Sequence, residues 1–361
     1  MKSAVIGLGF GDEGKGLIVD YLCSKSNNPL VVRYSGGHQA GHTVVRNNIR
    51  HIFSNFGSGT LSHAPTYWSK FCTVDPVGLI KELHILKEKG ISPVLFIDKR
   101  CPITTPFDII NNRKKDIKNG TCGVGVGTTF EREDNFYSLL AGDILFPSVM
   151  KMKLKIIENH YGWVNYQPDF FYEAVNEIVK SSCIVLVDEY FEQQDMIFEG
   201  SQGLMLDKNF GFFPHVTRSN VGTKNILAFT NFFQTYLVTR AYQTRHGHGP
   251  MTNGDIPHNI IEDPNETNIE NEYQGEFRRT LLDVDLLQYA ISRDEYINKD
   301  ENKVLAVTCL DHIKNEYRFT HKGNIVYCND ENDFLEKISS ILDIKNLLVS
   351  HSPDSSLIQK K

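Results

Sequence analysis

VIGLGFGDEGKGLIVDYL, Val5 to Leu22, decides how the chain begins to fold. A short apolar run enters a stretch with five glycines, Asp12, Glu13 and Lys15, and then the pattern turns apolar again. That order reads as a strand, a loop that handles phosphate and the start of a helix. Gly9, Gly11 and Gly14 spell G-x-G-x-x-G, the dinucleotide fingerprint. Gly9, Gly14 and Lys15 spell most of a P-loop. Neither loop is complete. A dinucleotide site wants an acidic residue at the end of the second strand, about 20 residues on. Asp20 instead falls in the first helix, and the second strand ends in Arg33-Tyr34. A P-loop wants Ser or Thr after its lysine, to ligate magnesium, and Gly16 has no hydroxyl.

The loop holds a carboxylate pair, Asp12 and Glu13, where the phosphates would come. Two anions beside a polyphosphate call for a metal or a proton-bearing substrate between them. The stretch therefore reads as a phosphate cradle (the amides from Gly14 to Leu17, with Lys15) joined to acid–base or metal chemistry at Asp12. A second loop, YSGGHQAGHTV from Tyr34 to Val44, follows the second strand with three glycines and two histidines four apart. Glycine before and between those histidines opposes a zinc-binding helix, and no third ligand is near. An imidazole facing transferred phosphate is the better use.

Outward from these loops, Ser3–Leu8 and Leu30–Arg33 read as buried strands flanking a helix over Gly16–Ser24. Asp75–Lys89 has apolar residues at helical spacing, with Asp75 as N-cap, Pro76 in the first turn and Gly90 as the stop. Pro93–Asp98, Cys183–Asp188, Met196–Glu199 and Val304–Cys309 continue the strands. This alternation predicts an α/β fold, one domain over residues 1–361 around a mainly parallel sheet with helices on both faces and long active-site loops. The loops expected are Ser35–Thr43, Asn119–Thr129, Gly200–Asn220, Thr244–Gly254 and Asn265–Arg279. Ile260–Gly275 is the most flexible in composition.

Composition sets the outer limits. With 361 residues, 40% hydrophobic and 23% charged, the chain is ordinary globular protein. A net charge of −6 gives no reason to expect nucleic acid as partner. Seven scattered cysteines without a C-x-x-C pair argue for a reducing, cytoplasmic setting and against a disulfide framework or zinc site. No signal segment and no membrane-spanning run is evident.

Several motifs in one order make the reading specific. GDEGKG (Gly11–Gly16), GGHQAGHTV (Gly36–Val44), EGSQGLMLDKNFGFFPHVTRSN (Glu199–Asn220), TRHGHGP (Thr244–Pro250) and TCLD (Thr308–Asp311) resemble the adenylosuccinate synthetase family. The resemblance implies a ligase that joins L-aspartate to C6 of a purine nucleoside monophosphate, driven by ATP or GTP with magnesium, in a homodimer. It implies that Asp12 removes the purine N1 proton so that O6 attacks the γ-phosphate. His42 would stabilise the transferring group, and Asp12 with the Gly41 carbonyl would ligate magnesium. Gly14, Lys15, Gly16, Gly41, His42, Thr43 and Asp311 would hold the triphosphate. Gln202 would contact the 6-oxo group, and Gln39, Cys122 and Thr217 would hold the monophosphate. Gly275, Arg278 and Arg279 would hold L-aspartate.

The departures from the family pattern concern selectivity. Cys309 stands for the lysine of T-K-x-D, which leaves ATP open beside GTP. Gln39 replaces an asparagine and Cys122 a phosphate-binding threonine. The arginine that reaches the neighbouring subunit's monophosphate falls near Phe136, with Arg132 as substitute. Glu276 replaces the first arginine of the aspartate loop YQGEFRRTLLD. A viral branch of the superfamily accepts dGMP in place of IMP, and guanine offers the same O6 and N1–H. Glu276 and the short chain favour dGMP; Asp12 favours IMP, because viral members often carry serine there. A regulator that had lost turnover would be expected to lose Asp12, Lys15 or His42, and all three are present. A P-loop NTPase is the enzyme-class rival.

Overall fold

The computed structural model describes residues 1–115, 121–162, 168–189, 194–268, 270, 273–314 and 316–361. Its strands in chain order are β1 (Lys2–Gly7), β2 (Pro29–Arg33), β3 (His42–Arg46), β4 (Ile49–Phe53), β5 (Thr66–Trp68), β6 (Leu95–Asp98), β7 (Ile184–Val187) and β8 (Asp195–Gly203). There follow β9 (Gln234–Arg240), β10 (Tyr242–His246), β11 (Phe277–Asp283), β12 (Val304–Thr308), β13 (Tyr317–His321), β14 (Asn324–Cys328), β15 (Asn346–Val349) and β16 (Gln359–Lys360). The helices are α1 (Lys15–Lys25), α2 (Pro76–Glu88), α3 (Pro106–Lys115), α4 (Val126–Asp134), α5 (Pro147–His160), α6 (Asp169–Lys180), α7 (Val284–Arg293), α8 (Glu295–Lys299) and α9 (Glu331–Leu342).

Among the described residues, ten strands form one sheet in the order β16-β15-β12-β9-β1-β8-β2-β5-β6-β7. Every pairing in it is parallel except β15 with β16. Alternation along β1 shows why its sequence is apolar on both sides. Ala4 and Ile6 join the core under α7 and α9, whereas Val5 joins the core under α1. Helix α1 is buried from Lys15 to Cys23, so it shows no polar face to the solvent. Helix α2 begins as its sequence dictates, with the Asp75 carboxylate accepting from Val77 N and Gly78 N and Pro76 in the first turn.

The mainly parallel sheet agrees with the sequence reading, and three features go beyond it. Strand β8 continues past Glu199 to Gly203, because Glu199 pairs with Val5 and Arg33 while Gly203 pairs with Gly7. The polar, glycine-bearing EGSQG segment thus continues the strand along β1, with Glu199 held from both sides. Strand β9 lies directly beside β1. A separate sheet, β10-β11-β13-β14, and the hairpin β3-β4 stand apart from the main sheet. Asn119 and Gly120 of one expected loop lie outside the described residues, as do residues 269, 271 and 272 of another. The first of these loops passes into α4 from Val126.

Candidate active site

The C-terminal ends of the parallel strands open into one large cavity of about 1480 Å³. The loop after β1 lies centrally, since β1 is flanked by β9 on one side and β8 on the other. Gln202 near the end of β8, and Gly41 and His42 after β2, come from one side; Asp311, just beyond β12, comes from the other. All of them line the cavity.

Helix α1 starts at Gly14, whose φ of 91° is a left-handed conformation and whose place as N-cap carries no side-chain cap. Its first amides are therefore available for an anion at the cavity wall. The glycine that spoils the P-loop pattern has a packing reason. A Cβ on Gly16 would sit 2.7 Å from His42 Cβ and 2.8 Å from Ser58 Oγ, so the site brings an imidazole where a P-loop places a hydroxyl.

Asp12 also adopts a left-handed φ, 63°, which is costly for a non-glycine residue and turns its carboxylate toward the cavity. Burial raises its pKa, opposed by Arg240 and Lys15. Glu13 corrects the expected carboxylate pair. It turns inward, accepts from Gly9 N at 3.1 Å and Gly11 N at 2.8 Å, and pairs with Lys15 Nζ at 2.6 Å. Glu13 thus holds the loop's shape and restrains the lysine, while Asp12 is the acid that faces the chamber.

The two histidines of the second loop separate. His38 Nε2 hydrogen-bonds Val124 O at 3.0 Å. His42 Nδ1 lies 2.5 Å from Glu199 Oε1, and its Nε2 is buried without a hydrogen-bond partner among the described residues. Burial lowers the His42 pKa. Glu199, despite burial, is held down to about 2 by His42, Arg33 and hydrogen bonds that include Ser58. The sequence offered no local signal for the role of Glu199, whose partner His42 is 157 residues away.

Arg240, at the end of β9, was not foreseen. Its Nε donates to Asp12 O at 2.6 Å, and its Nη1 donates to Tyr242 OH at 2.8 Å and Glu266 Oε2 at 2.9 Å. Residues 261–268 line the cavity, and Thr43 and Arg50 of the hairpin contact Thr267 and Asn265. The part of Ile260–Gly275 expected to be most flexible is thereby tied to the catalytic loop.

At the acceptor end, Gln39, Cys122, Gln202 and Thr217 line the cavity together with Ser201, Lys208 and Arg218, the last three unforeseen. At the other end Asp311 is joined by Thr308 and Cys309. Thr308 Oγ1 donates to Glu13 O at 2.7 Å, joining the end of β12 to the loop after β1.

Four expected residues are not brought into the wall, and one of them, Arg132, is misplaced outright. Arg132 is fully buried, with Nε 2.9 Å from Asp108 Oδ1, Nη2 on Ile103 O and Nη1 on Tyr137 O. It braces α4 against the chain before α3 and cannot hold a nucleotide phosphate. Arg278 Nη2 donates to Gly247 O at 2.6 Å and Gly249 O at 2.9 Å, while Arg279 Nη1 approaches Glu262 at 3.3 Å. As neighbours on β11 they project to opposite faces, so they do not act as one clamp here. Gly275, with φ 82°, offers its carbonyl to His246 Nε2 at 3.2 Å.

Among the described residues, no three His, Cys, Asp or Glu side chains gather to hold a metal. A magnesium ion fits only as one held through a carboxylate with phosphate oxygens and water completing its shell. Asp12 and Gly41, the residues expected to hold it, both line the cavity and suit that arrangement.

A helix start with free amides, a cavity-facing acid and an imidazole meet at the C-terminal edge of a mainly parallel sheet in an α/β protein. The family model described as adenylosuccinate synthetase matches residues 4–344, and the chain belongs to that family. It is 32% identical over 278 residues to the adenylosuccinate synthetase of Buchnera aphidicola, covering 68% of this chain and 64% of that one. Against the enzyme of Borrelia turicatae the identity is 34% over 276 residues, covering 69% and 63%. The matches thus span somewhat under two thirds of those relatives' length.

Two solved structures share the fold. The fully ligated adenylosuccinate synthetase of Plasmodium falciparum superposes with a TM-score of 0.79 at 18% identity, covering 99% of each chain. The cyanophage S-2L succinoaminodeoxyadenylate synthetase PurZ, bound to dGMP and dATP as energy donor, gives 0.69 at 14% identity, covering 99% of this chain and 95% of that one. No helix among the described residues is long and apolar enough to cross a membrane.

Proposed function

We propose that the protein, acting as one catalytic domain, is a ligase that joins L-aspartate to C6 of a 6-oxopurine nucleoside monophosphate through a 6-phosphoryl intermediate. The observation that carries this is the convergence of Asp12, Lys15, His42 and Gln202 on one cavity that continues to Asp311. Asp12 takes the proton from purine N1, and O6 then forms its bond to the γ-phosphorus as the bond to the nucleoside diphosphate breaks. His42, Lys15 and the first amides of α1 face the charge on the phosphoryl oxygens. The amine of aspartate next forms the C6–N bond, and inorganic phosphate leaves. Magnesium, when bound through Asp12 and the Gly41 carbonyl, supplies charge neutralisation for the phosphates.

The acceptor we favour is dGMP. Ser201 supports it, because it lines the cavity beside Gln202 and its hydroxyl, 2.9 Å from Ser35 Oγ, keeps a lone pair that can accept from the guanine N2 amino group, which hypoxanthine lacks. Glu276, in place of an arginine of the aspartate loop, supports a rebuilt ribose edge. IMP is the second reading, favoured by Asp12 and by relatives such as the Buchnera enzyme. Asp311 is an acceptor for guanine N1–H and N2–H in GTP, while Cys309 leaves ATP as donor as well. A homodimer fits the exposed Phe146, Met152 and Ile156 at the start and on the surface of α5, and a reducing cytoplasm fits the free cysteines. The test is a matrix of dGMP, GMP and IMP against ATP and GTP with L-aspartate, read by phosphate release and product mass. Faster turnover of IMP than of dGMP would reverse the acceptor assignment; no aspartate adduct with any pair would overturn the ligase reading.

A further inference from the structure

We propose that Lys208 and Arg218 hold the 5′-phosphate of the acceptor nucleotide, so that the cations facing it come from the same chain as Asp12. The inference deepens the ligase reading and rests on it.

Six lysine and arginine side chains line the cavity among the described residues, and four of them are already engaged. Lys15 is held by Glu13 at 2.6 Å, and Arg50 by the Asn265 carbonyl at 3.1 Å. Arg240 serves the Asp12 carbonyl and Glu266, and Arg245 the carbonyls of His215, His248 and Pro250. The other two are Lys208 and Arg218. Lys208 Nζ has no hydrogen bond or ion pair among the described residues. Arg218 Nη2 reaches Glu131 Oε2 at 3.5 Å, the outer limit of a hydrogen bond, and both side chains are exposed. A pair of that kind contributes little, so Arg218 is open to a better partner.

The loop after β8 fixes where these cations stand. Buried Asp207 staples its base, with Oδ1 accepting from Asn209 N and Oδ2 from Val221 N, both at 2.8 Å. Thr217 N donates to Leu206 O at 2.8 Å, and Lys208 N donates to Ser219 O at 3.3 Å. These bonds bring Lys208 alongside Thr217 and Arg218, and all three line the cavity. The loop begins at Gln202, the residue given the 6-oxo group, so one segment runs from the reacting end of the nucleotide to its phosphate. A phosphate monoester carries nearly two negative charges at neutral pH. The Thr217 hydroxyl and Cys122 thiol are neutral donors, and charge-assisted hydrogen bonds are about twice as strong. Lysine supplies a point charge and arginine a planar fork that binds two phosphate oxygens. Arg132, buried on Asp108, and the uncharged Phe136 supply neither.

Lys208→Met and Arg218→Gln, singly and together in the full-length protein, test this. The KM of the nucleoside monophosphate should rise about 10-fold in each single variant and on the order of 100-fold in the double variant. The kcat and the KM of the triphosphate should stay within about threefold. Calorimetric titration without triphosphate compares dGMP and IMP with deoxyguanosine and inosine. The double variant should lose most of the advantage of nucleotide over nucleoside and keep its nucleoside affinity within about threefold. An unmoved monophosphate KM in the double variant overturns the proposal. So does a rise confined to the triphosphate, or an equal loss of nucleoside and nucleotide binding. Absence of turnover with every nucleotide would sink the ligase reading, while the titrations would still decide whether Lys208 and Arg218 hold a phosphate.

Discussion

The guanidinium of Arg240 donates from Nε to the backbone oxygen of Asp12 at 2.6 Å, and the same side chain reaches Glu266 at 2.9 Å. One buried cation thus ties the acid's backbone to the 261–268 segment over the cavity. Arg240→Ala should lower kcat/KM by on the order of 100-fold, because Asp12 loses the contact that aims it. It should also cost about 3 kcal/mol of stability, since Glu266 is left without its guanidinium partner. Urea unfolding of Arg240→Ala and of Arg240→Ala with Glu266→Gln checks this. The double variant should recover part of the lost stability and none of the activity.

Arg132 gives a prediction of the opposite kind. Its ion pair with Asp108 is fully buried, and it also satisfies the carbonyls of Ile103 and Tyr137. Arg132→Leu should destabilise the protein by about 3–5 kcal/mol through the unpaired Asp108 carboxylate. Nucleotide affinity, measured by titration at a temperature where the variant remains folded, should stay within about threefold of the unmodified protein. A selective loss of monophosphate binding would return Arg132 to the site.

The contrast between these two arginines shows what the sequence could and could not carry. Strand–loop–helix at Val5–Leu22, the capped start of α2 and the phosphate loops are local patterns, legible because turn chemistry and periodicity act over a few residues. Asp12, His42, Gln202 and Asp311 lie in such patterns, and each lines the cavity. Arg132 lay close in sequence to a matching loop, but α4 turns it inward, and no local signal reveals which face a helical arginine takes. Arg240 and Glu199 were hidden for the converse reason. Their partners are 228 and 157 residues away, and their roles exist only once the strand order is set. Glu13 and Asp12 are adjacent carboxylates, yet one backbone step separates a carboxylate in the cavity from one on Gly9 and Gly11 amides.

Cys122 lies on the cavity wall just before α4. Burial pushes its thiol up to about 11, so at neutral pH it is a protonated, weak hydrogen-bond donor. Cys122→Thr places a stronger donor at the same branch point. The KM of the nucleoside monophosphate should fall by about fivefold, equivalent to about 1 kcal/mol, with kcat little changed. Initial-rate kinetics with the preferred acceptor measures it. A rise in KM would mean that the thiol packs against the nucleotide and does not substitute for a phosphate donor.

Acid should act on stability through Glu199. Its folded pKa of about 2 lies below its ordinary 4.5, so the folded protein favours the ionised form. A depressed carboxylate contributes its stabilisation fully above the unfolded pKa and loses it as pH falls toward the folded value. The shift corresponds to about 3 kcal/mol, and its loss spans roughly pH 5 to pH 2. Urea unfolding of the unmodified protein and of Glu199→Gln, compared from pH 6 downward, isolates the contribution as a difference. That difference should shrink in favour of the variant, by more than half of the full amount at about pH 3. Parallel curves over the whole range would show that Glu199 has the same affinity for a proton folded and unfolded, which is incompatible with the contacts from Ser58, Arg33 and His42 that surround it.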